Sequence, residues 1–492
     1  MMLVQRVQNY QKDLYDTMII PFTTPVTVVS KEIRMLKGHI SASSFSGKSQ
    51  EIYQFTHVDG DKSVNVILLG LGQPEQLKHE TIYQVFAKGF SSCRKLQSEN
   101  AIVFYDNITG EVGNEVIAEK AFEAAYLANY TFEKYKTAKS EKAETRVDFL
   151  SKNENLDHAL LEAQHCATGT MMARNLINEP PNYMTPSKLA EEAKKVGEEA
   201  NFNVTVYDAA EIEKLGMNLF LAVGKGSAHQ PAFIVMEHFG DPDSDRKVGM
   251  VGKGITFDTG GYSLKSEASM TNMHGDMGGA AAVIGAMKVI SEMKLKINVV
   301  AVVAACENRV SDKSYLPGDI VQSMSGKFVE VNNTDAEGRL TLADAITYLI
   351  QKHDVGCVID IATLTGAVID ALGKRIAGFF TNDSVIRSVM NEASHRSMER
   401  IWELPFDDGL RSVIQSDVAD LKNSAFGSNK GGYAIVAALF ISEFVENRPW
   451  VHLDIAGTSW STEELDDCPK GGVGYGVRLL YHVVKILERD QV

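Results

Sequence analysis

Long apolar runs that do not alternate dominate the second half of the chain. NVTVYD (203–208), AFIVMEH (232–238), VGMVGKGITFD (248–258), INVVAVVAACEN (297–308), VGCVIDIATLTG (355–366) and WVHLDIAGTSW (450–460) are nearly continuous in hydrophobic residues. A strand with one wet face alternates, whereas a strand covered on both faces does not. These runs therefore predict a mostly parallel sheet with helices on each side. GGAAAVIGAMKVISEMK (278–294) and TLADAITYLIQKH (341–353) supply such helices. In the first part, TMIIPF (17–22), VNVILLGLG (64–72) and AIVFYD (101–106) read as strands, and 81–96 and 116–135 as amphipathic helices.

The segment 156–177, without proline and with one glycine, predicts a long helix. NEPPNYMTP (178–186) ends it, because three prolines within seven residues forbid continuation. A new helix then begins with Thr185 as N-cap and Pro186 in its first position. The expected organisation is α/β throughout: a smaller N-terminal α/β domain (1–150), a connecting helix and linker (151–180), and a larger C-terminal α/β domain (181–492) around a central, mostly parallel sheet.

The 492 residues include 44% hydrophobic and 23% charged, a globular balance. The formal net charge of -15 works against nonspecific binding to nucleic acid or an anionic membrane. Five scattered cysteines without a C-x-x-C imply free thiols in a reducing compartment. The first twenty residues lack the apolar stretch of a signal peptide, and the longest apolar run (297–306) falls far short of the ~20 residues that cross a bilayer. The expected location is the cytoplasm, with no membrane partner.

Ligand crevices of open α/β sheets lie at the carboxyl ends of the strands, which directs attention to polar residues just after the apolar runs. There stand Lys253 and Asp258, then Lys265, then Asp276 before a helix, and then Asp335, Glu337 and Arg339 within VNNTDAEGRL (331–340). If the last segment is extended, positions i, i+2 and i+4 share one face, so both carboxylates and the guanidinium point into the same space. Thr341 and Asp344 resemble a capping box for the helix that follows. Carboxylates ~4 Å apart repel by about 1 kcal/mol per pair in water and about 4 at an effective dielectric of 20. Four of them suit two divalent cations that activate water and stabilise an oxyanion. Lys253 would join as a metal ligand only in its neutral form, because an ammonium has no lone pair.

NTDAEGRL, with VGKGITFDTGG and Lys265, DMGGAA, PGDIV, DIATLTGA and HLDIAGT in order, resembles the leucyl (cytosol) aminopeptidase family of two-metal peptidases. The resemblance is detailed from about residue 175 onward. It implies that Lys253, Asp258, Asp276 and Glu337 hold one metal, and that Asp258, Asp335 and Glu337 hold the other. The ions would be Mn²⁺ or Zn²⁺, with Mg²⁺ or Co²⁺ as alternatives. It further implies that Lys265 polarises the scissile carbonyl, and that Arg339 holds a bicarbonate acting as general base. Met273, Asn333, Ala336 and Thr363 would line the first side-chain pocket, with backbone groups of Leu364 and Gly366 aligning the peptide. Peptide substrates and a homohexamer come with the same resemblance. His274, Asn332 and the pair Asp312 and Lys313 depart from the family pattern without touching the expected ligands.

The twelve histidines show no H-E-x-x-H spacing, so His238 and His452 read as core or strand-end residues and His274 as a neighbour of the site. Asp360 and Asp454 read as hydrogen-bonding groups at the sheet end. Two other functions share some of these features: a two-metal phosphoesterase, which usually adds histidine ligands, and a secondary DNA-binding role, which the net charge disfavours.

Overall fold

The computed structural model describes residues 3–108, 114–138 and 145–490. It divides into two compact units, residues 1–171 with 463–470, and residues 172–462 with 471–492. The division falls inside the long helix Leu156–Asn178.

The first unit is built on a six-stranded sheet in the order Leu3–Val7, Arg146–Leu150, Asn100–Val103, Thr17–Thr23, Lys62–Gly72, Ile52–Asp59. Every pairing is parallel except the last, a hairpin. Helices His79–Lys95 and Asn114–Leu127 pack together. The second of these stops well before residue 135. The Tyr130 N–H turns back to the Leu127 carbonyl (3.1 Å), and the run from Asn129 to Phe132 consists of weak helix formers. The strand expected over 101–106 ends at Val103, and Tyr105–Asn107 forms a single tight turn instead. Asn107 fixes that turn by donating to the Pro21 carbonyl (3.0 Å) and accepting from the Val29 N–H (2.9 Å).

The second unit carries an eight-stranded sheet in the order Ile401–Glu403, Ala377–Thr381, Trp450–Asp454, Cys357–Ala362, Lys247–Asp258, Asn298–Asn308, Ala232–Phe239, Asn203–Tyr207. The four strands from Trp450–Asp454 to Asn298–Asn308 are mutually parallel, and they correspond to the densest apolar runs. Helices cover both faces. A Cβ at Gly249 would meet Leu349 of helix Gly338–His353, while one at Gly252 would strike Ala280 of helix Gly278–Glu292. Helix Pro186–Ala200 starts as the sequence predicts, with the Thr185 hydroxyl accepting from the Lys188 N–H (3.3 Å). All five cysteines are buried free thiols. Among the described residues no helix is long and apolar enough to cross a membrane.

Two local expectations fail. The 331–340 segment is not extended: it turns at Thr334 and Asp335 and enters a helix at Gly338. Nor is there a capping box. Glu337 occupies the N-cap position without a side-chain cap, and the Thr341 hydroxyl donates to the Gly338 carbonyl (2.9 Å). Asp344 accepts from the Phe220 and Met324 N–H groups (3.0 and 2.8 Å), tying distant segments to the helix.

Candidate metal centre

The strand Lys247–Asp258 delivers Lys253 and Asp258 from within the sheet, both buried. Immediately afterwards Gly260 and Gly261 adopt φ of +84° and +62°, a reversal that side-chain-bearing residues rarely make. That reversal brings Lys265 back over the strand end. Its ammonium contacts Asp258 Oδ2 (2.9 Å) and Asp335 Oδ1. Lys253 is clasped more completely. Its Nζ lies 2.8 Å from Asp276 Oδ2 and 2.8 Å from Glu337 Oε1, and donates to the Thr363 carbonyl at 2.9 Å. Gly338 makes room for it, because a Cβ there would lie 2.5 Å from Lys253 Cε.

Six of the anticipated residues thus meet: Lys253, Asp258, Lys265, Asp276, Asp335 and Glu337. Four carboxylates and two ammonium groups leave a formal charge of -4 + 2 = -2 in a mostly buried site. Burial pushes the Asp276 carboxyl up to about 8; Lys253 opposes the rise, and Asp258 and Glu337 add to it. Asp335 is pushed up to about 6, by burial first and then by Glu337 and Asp258, against Lys265. Asp258 is also raised, chiefly by burial and Glu337. Burial acts on Glu337 in the same sense, but Lys253 and Lys265 outweigh it and hold the group below its usual range. Both lysines stay protonated well above their usual range, because the surrounding carboxylates overcome desolvation.

This donor set fits a divalent cation. Oxygens of Asp258, Asp335 and Glu337 lie within 4.8 Å of one another. Glu337 Oε2 is buried without a hydrogen-bond partner, and Asp276 Oδ2 and Asp335 Oδ1 face ammonium groups. Hard oxygen donors with spare lone pairs are what Mg²⁺, Mn²⁺ and similar ions take. Lys253 could join them only by losing its proton and its two carboxylate contacts.

Arg339 does not share an extended face with Asp335 and Glu337, as the extended reading required. It lies in the first turn of the Gly338–His353 helix, buried, and its Nη1 donates to the Asn423 carbonyl (2.8 Å). Its Nε is buried and has no partner. Burial lowers the guanidinium pKa to about 10, against Glu337 and Asp454.

The remaining anticipated residues border the cluster through the backbone. Thr363 donates to Asp276 Oδ1 (2.7 Å). Met273 is half-buried in the short turn Met273–Gly275, which Asp276 closes. Asn333 Oδ1 accepts from the Asp335 N–H (2.8 Å), and Ala336 is buried beside it. The Leu364 N–H donates to Asp454 Oδ1 (3.1 Å), and Gly366 is exposed at the start of helix Gly366–Leu372. His274 packs edge-on against Trp460. His452 and Trp450 both bond Asp360 (2.5 and 2.7 Å), as core groups do.

Several supporting residues went unnoticed in the sequence. Asn308 donates to Asp258 Oδ1 (2.8 Å) and the Thr334 carbonyl (3.0 Å), and Tyr315 donates to the same carbonyl (2.8 Å). Asn308 ends an apolar run, so the rule that found Asp258 could have found it. Asn423, which holds the 332–336 loop, has no such signal.

The chain is similar to known proteins along most of its length. Residues 171–481 match the model of the cytosol aminopeptidase family catalytic domain, and residues 31–139 match that family's N-terminal domain. A probable cytosol aminopeptidase of Clostridium perfringens is 42% identical over 480 residues, covering 95% of this chain and 96% of the relative. One from Fusobacterium nucleatum is 38% identical over 490 residues, covering 98% and 99%. Among solved structures, the bottromycin maturation enzyme BotP in complex with Mn is similar at a TM-score of 0.86 and 29% identity, covering 96% of this chain and 99% of that one.

Proposed function

The chain belongs to the cytosol aminopeptidase family of metal-dependent hydrolases, and from that premise we propose that it releases N-terminal residues, broadly and with a preference for leucine-like side chains, from peptides. The observation carrying this reading is the approach of Asp258, Asp335 and Glu337 to within 4.8 Å, with Asp276 and Lys253 alongside. In the proposal Lys253, Asp258, Asp276 and Glu337 hold one divalent ion and Asp258, Asp335 and Glu337 hold a second. The ions are Mn²⁺ or Zn²⁺, or else Mg²⁺ or Co²⁺, and when bound they supply Lewis-acid activation of water and of the scissile carbonyl.

The chain's own residues perform the rest. Lys265 keeps its charge above neutral pH and, once freed from Asp258 and Asp335, donates to the oxyanion that develops on the carbonyl oxygen. Arg339 cannot take up the water's proton itself, but a guanidinium binds a planar oxyanion in two-pronged fashion. Its buried, unpartnered Nε supports a bicarbonate held there as general base. Met273, Asn333, Ala336 and Thr363 receive the first side chain. Backbone groups of Leu364 and Gly366 orient the peptide. The proposal extends to a homohexamer, which light scattering at the mass of one chain would refute. It also extends to a cytoplasmic location, which the relatives' names and the five free thiols support.

Chelation should abolish release of leucine from leucine anilide, and Mn²⁺ or Zn²⁺ should restore it. Hydrolysis that survives complete chelation would refute the reading.

A further inference from the structure

Asn423 follows the short strand Leu421–Lys422 and is 84 to 91 positions away from the residues it serves. It is fully buried. Its Nδ2 donates to the carbonyls of Asn333 (2.7 Å) and Ala336 (3.1 Å). Its Oδ1 accepts from the N–H groups of Asn332 (3.0 Å) and Asn333 (3.3 Å). A primary amide has two donor hydrogens and two acceptor lone pairs, so this side chain spends its whole capacity on one loop. The loop it brackets contains Asp335. Asn423 also works through its backbone: its carbonyl receives Arg339 Nη1 (2.8 Å), and its N–H is anchored to the Glu330 carbonyl (3.0 Å).

We propose that Asn423 is a positioning residue of the metal centre, fixing the 332–336 loop that presents Asp335 and holding the Arg339 guanidinium in register with it. The inference rests on the functional reading above. It follows from what other side chains would do in the same space. Aspartate has the same shape but no donors, and it would set a carboxylate against the Asn333 and Ala336 carbonyls. Leucine would remove the partner of four backbone groups, the buried Ala336 carbonyl among them, which native structures avoid. Glutamine is longer by a methylene in a site with no exposure. Groups that orient metal ligands without touching the ion commonly account for about 10- to 100-fold in metal affinity or activity.

The test compares wild type, Asn423→Asp and a remote control. Thr381→Val removes a buried hydrogen bond to the Trp450 carbonyl, in a strand separated from Lys247–Asp258 by two others. Mn²⁺ affinity by titration calorimetry and kcat and KM for leucine anilide are measured below the melting temperature of each protein. Asn423→Asp should lose about 10- to 100-fold in Mn²⁺ affinity and a comparable factor in kcat, with KM changed far less. Thr381→Val should lose melting temperature only. Wild-type Mn²⁺ affinity and kcat in Asn423→Asp would overturn the proposal whatever happens to its melting temperature, as would an equal loss in the control. If the aspartate variant does not fold, Asn423→Ser, which is smaller and offers one hydroxyl in place of the amide, takes the same comparison. A wild-type protein that neither binds Mn²⁺ nor hydrolyses leucine anilide would instead overturn the functional reading, and this inference with it.

Discussion

Lys253 and Lys265 each bridge two carboxylates, yet one sits in a closed half of the centre and the other in an open half. The Lys253 side chain is 3% exposed and its partners Asp276 and Glu337 are 6% and 2% exposed. It comes from the middle of the sheet, and Gly338 and the Thr363 carbonyl press against it. Lys265 comes from a loop beyond the Gly260–Gly261 reversal, and its partner Asp335 is 32% exposed. Similar contacts therefore have different consequences. The closed half is preorganised and shielded, so its charges interact strongly and its geometry cannot drift. The open half is reachable, so a substrate carbonyl can replace the contacts of Lys265. The comparison assigns cation retention to the first half and substrate chemistry to the second.

Glu337 belongs to both halves, through Lys253 on one side and Asp258 and Asp335 on the other. Glu337→Ala is therefore expected to have the largest effect, a fall in kcat/KM of about 10³-fold or more. A similar loss on replacing Asp335 alone would argue that the halves do not differ. Lys265→Ala removes a donor from the developing oxyanion and should lower kcat by about 10²- to 10³-fold. Its Mn²⁺ stoichiometry should stay as in wild type, and loss of an ion in this variant would break the assignment. Arg339→Ala should cost less, about 10- to 100-fold in kcat, because Lys265 and the cation ligands remain.

Acidity sharpens the comparison further. A carboxylic acid must lose its proton to ligate, so cation affinity rises with pH through the carboxyl's pKa. Asp335 in the open half stands at about 6 and Asp276 in the closed half at about 8. Calorimetry should therefore find Mn²⁺ affinity rising as pH rises from about 6 to about 8. Mn²⁺ affinity independent of pH would contradict this. The smallest effect is expected for His274→Ala. It removes a ring contact with Trp460 near the centre but no cation contact, and Mn²⁺ affinity should be unchanged.

How far the sequence reveals this arrangement depends on distance along the chain. The four parallel strands were legible because burial on both faces leaves unbroken apolar runs, and the rule about carboxyl ends then led to Lys253, Asp258 and Asp276. The short edge strand Ile401–Glu403 and its neighbour Ala377–Thr381 were not, since neither stands out as a long apolar run. In the N-terminal unit, Leu3–Val7 and Arg146–Leu150 escaped because polar residues interrupt them. The 331–340 segment was read with a mistaken geometry. Alternating charges fit an extended chain, but Glu337 starts a helix, and the turn at Thr334 and Asp335 brings the two carboxylates together while Arg339 lies in the first helical turn, bonded to the Asn423 carbonyl. Asn423 could not be found at all. Its role exists only in space, where one amide meets a loop some ninety residues earlier.

The most direct test is a crystal structure at saturating Mn²⁺ with anomalous scattering recorded. The account predicts two Mn²⁺ peaks per chain, one among Asp258, Asp335 and Glu337 and one beside Lys253 and Asp276. Both ammonium groups still bridging their carboxylates, with no anomalous peak among them, would contradict it.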